Sequence, residues 1–398
     1  MPVNYQQALQ QIREMGKQAP MLEERLRALR AAAAALLTEM ACELDTLEQL
    51  VERAGAENDH LRCAIPRSEC LTAAFPTPPL AACYSLLAAD GSQINPDRHG
   101  SVEFGAINVG SIRMRPGHDQ PPKAPQEFVR SRLMFHDALY TENGSPLTDD
   151  VVALMRDLAE RQELVEMARH EPPPVVTLTD GPLELFRQGR GMPEFDKEFE
   201  KYQVVLEELA TLQVATAGYV DKPRGDLVVR LLELVVLGNP LNVHGTLADA
   251  GRTRPFRFIT DSSLYLSLLR PGERSAVFGI RSAAGQGFKG NLELHFFYLN
   301  VGREKRAYLS RVEIPRYVAE NPNLLNLLHA TLVTQAHHLG PRPYPYILHR
   351  AHEIAVVSYE EHDQLENMIV AELRKQGVTI EDPSNKQVAK DSSNMRSR

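Results

Sequence analysis

YSLLAADGS at residues 84–92 and VVTLTDG at residues 175–181 are the two stretches that decide the fold. Each is a short apolar strand that ends in Asp followed by Gly. A strand buried on both faces offers a carboxylate no solvent until its end, where a Gly turn exposes the side chain. We therefore expect two neighbouring strands to end with Asp90 and Asp180 side by side.

Two carboxylates at that distance repel each other unless a cation lies between them. Asp90 and Asp180 thus favour a site for Mn²⁺ or Mg²⁺, which take oxygen ligands. Asp-Gly is also a common turn dipeptide, so one instance would carry no signal, and the matched pair is what indicates a metal site. Ser92 is not expected to be a nucleophile, because no GxSxG elbow surrounds it.

A third carboxylate is expected from the helix predicted at residues 149–169, which begins with two aspartates in N-cap positions. Glu160, Glu163 and Glu166 follow one another at three-residue steps, so adjacent members share roughly one face. Surface exposure is the default for such a row. We expect Glu160, four residues after Arg156, to turn inward.

The segment PRPYPYILHRAH at residues 341–352 holds the candidate histidines. Tyr344 lies between two prolines, which favour an extended turn before a helix that begins near residue 347. His349 and His352 are three residues apart and share a helical face. Such a histidine can ligate a metal, orient a water or donate to a phosphate, and a core histidine with a satisfied hydrogen bond is the alternative.

Periodicity divides the rest of the chain. An apolar stripe predicts a long amphipathic helix over residues 21–56, begun by Pro20 and used for packing or dimerisation. The other predicted elements are a helix at 194–217, antiparallel strands within 275–313, and helices at 323–339 and 347–376. The expected domains are a helical segment at 1–60, an α/β domain at 61–376 and a disordered tail at 377–398.

Charge is distributed unevenly along the chain. Residues 251–316 hold twelve Lys and Arg against five Asp and Glu, which leaves −15 for the rest of a chain whose net charge is −8. A basic segment in an acidic protein suits local phosphate contact, and a solvated charged face is the equal alternative. The candidate phosphate contacts are Arg270, Arg274, Arg281, Lys289 and Arg303.

Several functional classes are disfavoured. The four cysteines (Cys42, Cys63, Cys70, Cys83) form no CxxC pair and are interpreted as reduced thiols. Because no apolar run suits a membrane span or a signal peptide, a cytoplasmic protein is expected. The GxGxxG at residues 285–290 precedes a strand pattern and is predicted to be a hairpin turn. No P-loop is present, so an ATP-driven motor is not expected within this sequence.

Six motifs together resemble the NurA nuclease family. They are LLAADGS (86–92), LMRDLAE (154–160), VVTLTDGPL (175–183), GYVDKPRG (218–225), RPGERSAVF (270–278) and YPYILHRAH (344–352), in the family's order. The resemblance covers roughly residues 80–375. It implies an α/β fold with an RNase H-like mixed sheet flanked by helices, a homodimer, and Mn²⁺-dependent cleavage of DNA. It also implies work with the hexameric translocase HerA in DNA-end resection and repair.

Residue by residue, the resemblance assigns the family's acidic metal ligands to Asp90, Glu160 and Asp180. Its C-terminal tyrosine and histidine match Tyr344 and His352, and His352 is an additional candidate metal ligand. Glu163 in place of Glu160 would need only a small alignment gap.

These assignments lead to one main hypothesis and two alternatives. The hypothesis is two-metal phosphodiester hydrolysis, in which one ion generates hydroxide and the other stabilises the leaving 3′ oxygen. Exonuclease activity is expected, with endonuclease activity as a further option. The first alternative is a non-catalytic dimeric DNA-binding adaptor for the translocase. The second is a carboxylate-rich phosphatase acting on small molecules.

Overall fold

A computed structural model describes residues 3–98, 100–119, 124–185, 192–239, 245–303 and 306–380. The chain folds into two compact units. The first unit contains residues 1–78, 181–185 and 219–320, and the second contains residues 79–180, 186–218 and 321–398. Among the described helices, none combines the length and the apolar character that crossing a bilayer requires.

Eleven strands lie in the described part of the chain. They are β1 Cys63–Ile65, β2 Ala74–Phe75, β3 Ser85–Ile94, β4 Gly105–Met114, β5 Gln126–Met134, β6 Val175–Asp180, β7 Ala215–Val220, β8 Arg274–Ser275, β9 Phe278–Arg281, β10 Leu294–Asn300 and β11 Leu309–Pro315. The α-helices of the same residues are α1 Tyr5–Glu39, α2 Leu44–Glu57, α3 Asp149–Ala168, α4 Pro193–Thr211, α5 Leu227–Gly238, α6 Asp261–Tyr265, α7 Arg316–Ala319, α8 Pro322–Ala336, α9 Tyr346–Ala355 and α10 Tyr359–Lys375.

The second unit is built on a mixed sheet in the order β5-β4-β3-β6-β7. Strands β3, β4 and β5 pair antiparallel, α3 follows, and β6 returns parallel to β3. Helices α3 and α9 both pack against β3 and β4. Three antiparallel strands, a crossover helix and a strand parallel to the first form the RNase H-like arrangement. The predicted α/β class, with a mixed sheet flanked by helices and a long N-terminal helix, is confirmed.

The predicted turn at Asp90 is wrong. Strand β3 continues through Asp90, Gly91 and Ser92 to Ile94, and Asp90 is paired with Gly110 of β4. Strand β3 continues past Asp90 because β4 remains hydrogen-bonded to it as far as Ile94. Its other neighbour, β6, ends at Asp180. Residues 90–114 therefore include the end of β3 and all of β4.

The N-terminal helix prediction is also wrong in its bounds. Helix α1 begins after Asn4, whose side chain accepts a hydrogen bond from the Gln7 N–H, and Pro20 lies inside it. A second helix, α2, follows after a break at residues 40–43. The predicted apolar stripe is only partly buried: its members Ala33, Leu47 and Val51 are covered, whereas Leu22 is 49% exposed.

Three other helices differ from expectation in their caps or ends. Helix α3 is capped by Thr148, whose side chain accepts from the Val151 N–H, and the predicted caps Asp149 and Asp150 lie in its first turn. The helix expected at 347–376 is split, since Ser358 forms a capping box that starts α10. The helix expected at 194–217 ends at Thr211, because β7 begins four residues later.

The first unit contains the antiparallel strands predicted within residues 275–313, and that prediction is confirmed. Strands β1, β9, β10 and β11 pair antiparallel in this order, and β8 pairs with β2 and β10. The GxGxxG stretch forms two short turns between the antiparallel partners β9 and β10, as expected of a hairpin connection. Residues 381–398 of the predicted tail lie outside the described residues.

The prediction of four reduced cysteines is wrong, because Cys42 and Cys70 form a disulfide. The Leu71 N–H donates to the Ala41 carbonyl at 2.7 Å, which brings the two segments together with the cysteine Cα atoms 4.6 Å apart. Of the other two, Cys63 is buried and Cys83 is exposed, and both are free thiols.

Candidate functional site

The two predicted aspartates are neighbours in the sheet of the second unit. Strands β3 and β6 run parallel with Ala89 opposite Thr179, so the next positions along the strands are Asp90 and Asp180. Adjacent strands lie about 4.8 Å apart, and equivalent positions of parallel strands point to the same face. Asp90 is half-buried and Asp180 is exposed. The two aspartates therefore follow the last paired positions of adjacent strands, with β3 continuing past Asp90 and β6 ending at Asp180.

The C-terminal motif contacts both aspartates. His352 Nδ1 lies 2.7 Å from Asp90 Oδ2, and the Tyr344 hydroxyl donates to Asp180 Oδ1 at 3.0 Å. His349 instead lies 3.4 Å from Glu353 of its own helix. Tyr344 and His352, eight residues apart in sequence, thus contact the neighbouring strands β6 and β3, respectively.

Close packing holds α9 against this face of the sheet. The Ser92 hydroxyl donates to the Ala355 carbonyl at 2.6 Å, and the Asn108 amide donates to the same oxygen at 2.8 Å. A Cβ atom on Gly110, opposite Asp90, would lie 2.5 Å from the Ala355 nitrogen. Ser92 is therefore an anchor for the helix that carries His352.

Helix α3 brings Glu160 beside Gly91, near enough to Asp90 for the charge of the Asp90 carboxylate to act on it. A Cβ atom on Gly91 would lie 2.7 Å from Glu160 Oε1 and 2.6 Å from Arg156 Cγ, so only glycine leaves room for both side chains. Arg156 Nε lies 3.5 Å from Glu160 Oε1, and Arg156 Nη2 lies 2.8 Å from Asp157 Oδ1. The predicted inward turn of Glu160 is observed, with 7% of the residue exposed.

Negative charge is in excess around Glu160. Burial raises the pKa of Glu160 well above its usual value, and the nearby carboxylates of Asp157 and Asp90 raise it further. The positive charges of Arg161 and Arg156 lower the pKa of Glu160, but by less than burial and the carboxylates raise it. A divalent cation is the kind of group that would stabilise the ionised form here.

Glu163 and Glu166 occupy different surroundings. The Ser111 hydroxyl donates to Glu163 at 3.1 Å, and Arg130 Nε lies 2.7 Å from the same carboxylate, so Glu163 is held against β4 and β5. Glu166 pairs with Arg169 at 2.9 Å on a half-exposed part of α3. Of the three glutamates, Glu160 is the one beside Gly91.

The predicted metal ligands do not form a preformed cage. Within the residues that the structure describes, no three His, Cys, Asp or Glu side chains gather into a group that could hold a metal ion. The carboxylates of Asp90, Asp180 and Glu160 instead contact His352, Tyr344 and Arg156, respectively. Carboxylate oxygens are the donors that Mn²⁺ and Mg²⁺ prefer, so the types of side chain present here fit either ion.

The predicted phosphate contacts belong to the first unit. Arg270, Lys289 and Arg303 are exposed, and Arg281 is half-buried. Arg274 is a correction, because it is 5% exposed and its guanidinium is paired with Glu69 at 2.9 Å. The same guanidinium lies 3.9 Å from the centre of the Phe75 ring, so Arg274 is a structural ion pair.

Arg156 and Asp157 are functional candidates to which the sequence patterns assigned no role. Both lie within LMRDLAE, one turn before Glu160, and the i,i+4 spacing of Arg156 and Glu160 was the available signal. Gly91 was assigned a turn, whereas its role is the close approach of α3.

Comparison with known proteins adds a family match. The family model of the NurA domain matches residues 84–357. No curated protein sequence matches the chain. Among solved structures, the crystal structure of Drosophila Piwi is similar over 68% of this chain, at 12% identity and a TM-score of 0.27. The chain spans 29% of the length of that Piwi chain.

Proposed function

Because this chain belongs to the NurA family, a family of nucleases, we propose that it is a metal-dependent deoxyribonuclease that processes DNA ends. The observation that carries the proposal is the convergence of one C-terminal segment on two neighbouring strand aspartates. Tyr344 reaches Asp180 and His352 reaches Asp90, while Glu160 approaches from α3. Carboxylates, an imidazole and a phenol in this arrangement suit phosphodiester hydrolysis.

Asp90, Glu160 and Asp180 would hold Mn²⁺ or Mg²⁺, with His352 as an additional ligand in the two-ion form of the site. A bound divalent cation supplies Lewis-acid activation of water and neutralises charge at the leaving oxygen. The inward position of Glu160 beside Gly91 makes it a better third ligand than Glu163, which Arg130 and Ser111 already hold.

The chain's own residues orient side chains and supply positive charge around that centre. Asp90 accepts a hydrogen bond from His352 Nδ1, which orients the ring and leaves Nε2 for the additional metal contact or, where no ion occupies that position, for a hydrogen bond to a phosphate oxygen. Tyr344 orients the Asp180 carboxylate through its hydroxyl. Arg156 supplies positive charge between the carboxylates of Asp157 and Glu160.

The wider assignment follows the family resemblance. We propose that the protein acts as a homodimer on DNA ends together with a HerA-type hexameric translocase. The chain has no P-loop of its own, so directional movement along DNA would be the partner's contribution. Exonuclease activity is the primary expectation, and endonuclease activity is tested with circular DNA.

A matched pair on α3 tests the assignment. Glu160→Gln removes a proposed ligand, whereas Glu163→Gln removes a buried carboxylate of the same helix that contacts Arg130 and Ser111. We expect Glu160→Gln to lower Mn²⁺-dependent degradation of linear DNA by on the order of 10²–10³-fold and Glu163→Gln to keep most of it. Equal activities in the two variants would remove Glu160 from the site.

A second candidate function is the non-catalytic adaptor. It is favoured by one observation, namely that the described carboxylates contact protein side chains and form no group ready for a metal. Calorimetric titration with Mn²⁺ separates the two, because the nuclease binds the ion and Asp90→Ala weakens that binding. Absence of Mn²⁺ binding and of cleavage in the wild-type dimer would establish the adaptor.

A further inference from the structure

Two basic segments that are distant in sequence meet at Tyr308 in the first unit. The Tyr308 hydroxyl donates to Asp221, with its oxygen 2.9 Å and 3.0 Å from the two carboxylate oxygens. Lys222 Nζ lies 5.7 Å from the centre of the same ring. Tyr308 belongs to the connection between β10 and β11, where the Arg303 and Arg306 backbones pair with each other. The turn after β7 and this hairpin therefore form one surface.

Positive charge dominates this Tyr308 surface, which we define as Lys222, Arg303, Arg306 and Tyr308. The three cations are exposed. The nearby carboxylate of Asp221 is engaged by the Tyr308 phenol. On a chain with a net charge of −8, such a surface attracts a polyanion locally without making the whole protein adhesive.

The turn that presents Lys222 is held in an unfavourable backbone conformation. Lys222 has a φ of 44°, in the left-handed region, and the following proline disfavours a helical conformation at this position. The Ser262 hydroxyl donates to the Pro223 carbonyl at 2.7 Å, and the Asp261 N–H donates to the Gly225 carbonyl at 3.1 Å. Strain of this kind persists where surrounding contacts maintain it, often at binding sites.

We propose that Lys222 and Arg306, together with the predicted contact Arg303, bind the phosphodiester backbone of DNA. The inference rests on the proposed function, because DNA is the substrate there. It assigns a role to the GYVDKPRG motif, which the proposed chemistry leaves unused. Exposed cations contact phosphates irrespective of base sequence, so this surface adds affinity and carries no sequence preference.

Salt-dependent DNA binding of the full-length protein tests the proposal. Fluorescence anisotropy of a short fluorescein-labelled duplex is measured in EDTA, so that no cleavage occurs. Loss of two phosphate contacts in Lys222→Ala/Arg306→Ala should make the negative slope of log K against log salt shallower by about 1.8. The matched control, Arg13→Ala/Arg25→Ala, removes two exposed cations from α1 and should keep the wild-type slope.

Each result supports or overturns the proposed role of the Tyr308 surface in DNA binding. A slope that is unchanged in the Lys222/Arg306 variant, or equally shallower in the α1 control, overturns the proposal, and an acidic protein partner then becomes the alternative occupant. Thermal melting checks that both variants are folded. If the wild-type protein binds DNA but does not cleave it, the proposed nuclease activity is refuted, whereas the proposed role of the Tyr308 surface in DNA binding is not.

Discussion

Replacing Gly91 by Ala is the most direct test of how α3 and β3 form the site. The added methyl carbon would lie 2.6 Å from Arg156 Cγ and 2.7 Å from Glu160 Oε1. Carbon atoms in good contact are about 3.5–4.0 Å apart, so Arg156 or the strand has to move by roughly 1 Å. The Glu160 carboxylate, at the end of a flexible side chain, is displaced from Gly91 as well.

The two consequences of Gly91→Ala differ in size. Overpacking of this kind costs about 1–3 kcal/mol, which a folded domain of ordinary stability survives. A displacement of about 1 Å at a reacting group lowers the rate by on the order of 10²-fold. We therefore expect a folded protein whose Mn²⁺-dependent cleavage of linear DNA is almost lost.

Initial cleavage rates and urea unfolding provide the assay. The control is Gly16→Ala, since nothing lies within 4 Å of a Cβ atom at that exposed helical position. Alanine there should be neutral or stabilise by up to about 1 kcal/mol, with wild-type activity. Wild-type cleavage by Gly91→Ala would refute the reasoning that Glu160 and Arg156 act from their observed positions.

Three further predictions concern the site and the core. His352→Gln should lose the contact with Asp90 and lower the cleavage rate by about 10–100-fold while the unfolding free energy stays nearly constant. Asp261→Ala should lower the unfolding free energy by about 2–4 kcal/mol in urea denaturation, because Asp261 accepts from two backbone N–H groups of α5 and from Tyr298. Burial lowers the pKa of His295 from 6.5 to about 4, so the unfolded state takes up a proton first as pH falls. The unfolding free energy should therefore decrease between about pH 6.5 and pH 4, by on the order of 3 kcal/mol at the acid end, and His295→Gln should lack this contribution.

Each of these has a result that contradicts it. Unchanged cleavage by His352→Gln would show that the imidazole only packs against the sheet. Wild-type stability of Asp261→Ala would mean that water satisfies the α5 N–H groups. Identical pH dependence of wild type and His295→Gln would show that other groups govern acid unfolding.

Much of the site was predictable because its residues occur at recognisable positions in short stretches of the sequence. Asp90 and Asp180 follow apolar strand sequences, and Tyr344 and His352 keep an eight-residue separation across a turn and a helix. Glu160 was one of three glutamates at equal steps, and periodicity alone does not distinguish their neighbours.

The wrong predictions concern residues whose conformation or partner depends on a segment that is distant in sequence. The turn expected at Asp90 is a strand because β4 pairs along the whole of β3. Arg274 looked like a phosphate contact within a basic segment, yet Glu69, about two hundred positions earlier, holds it in the interior. Cys42 and Cys70 are joined because a long-range backbone contact aligns their segments.

The sequence by itself determined the class of elements, the carboxylates available for chemistry and the family, since strand and helix periodicity and motif order are local properties of the chain. Only the tertiary structure decided that β6 ends where β3 continues, that Glu160 rather than Glu163 approaches Gly91, and that Lys222 meets Tyr308. The physical reason is that a side chain's face follows from its position in the element. Its partner depends on which distant segment packs there, and packing is settled by the whole fold.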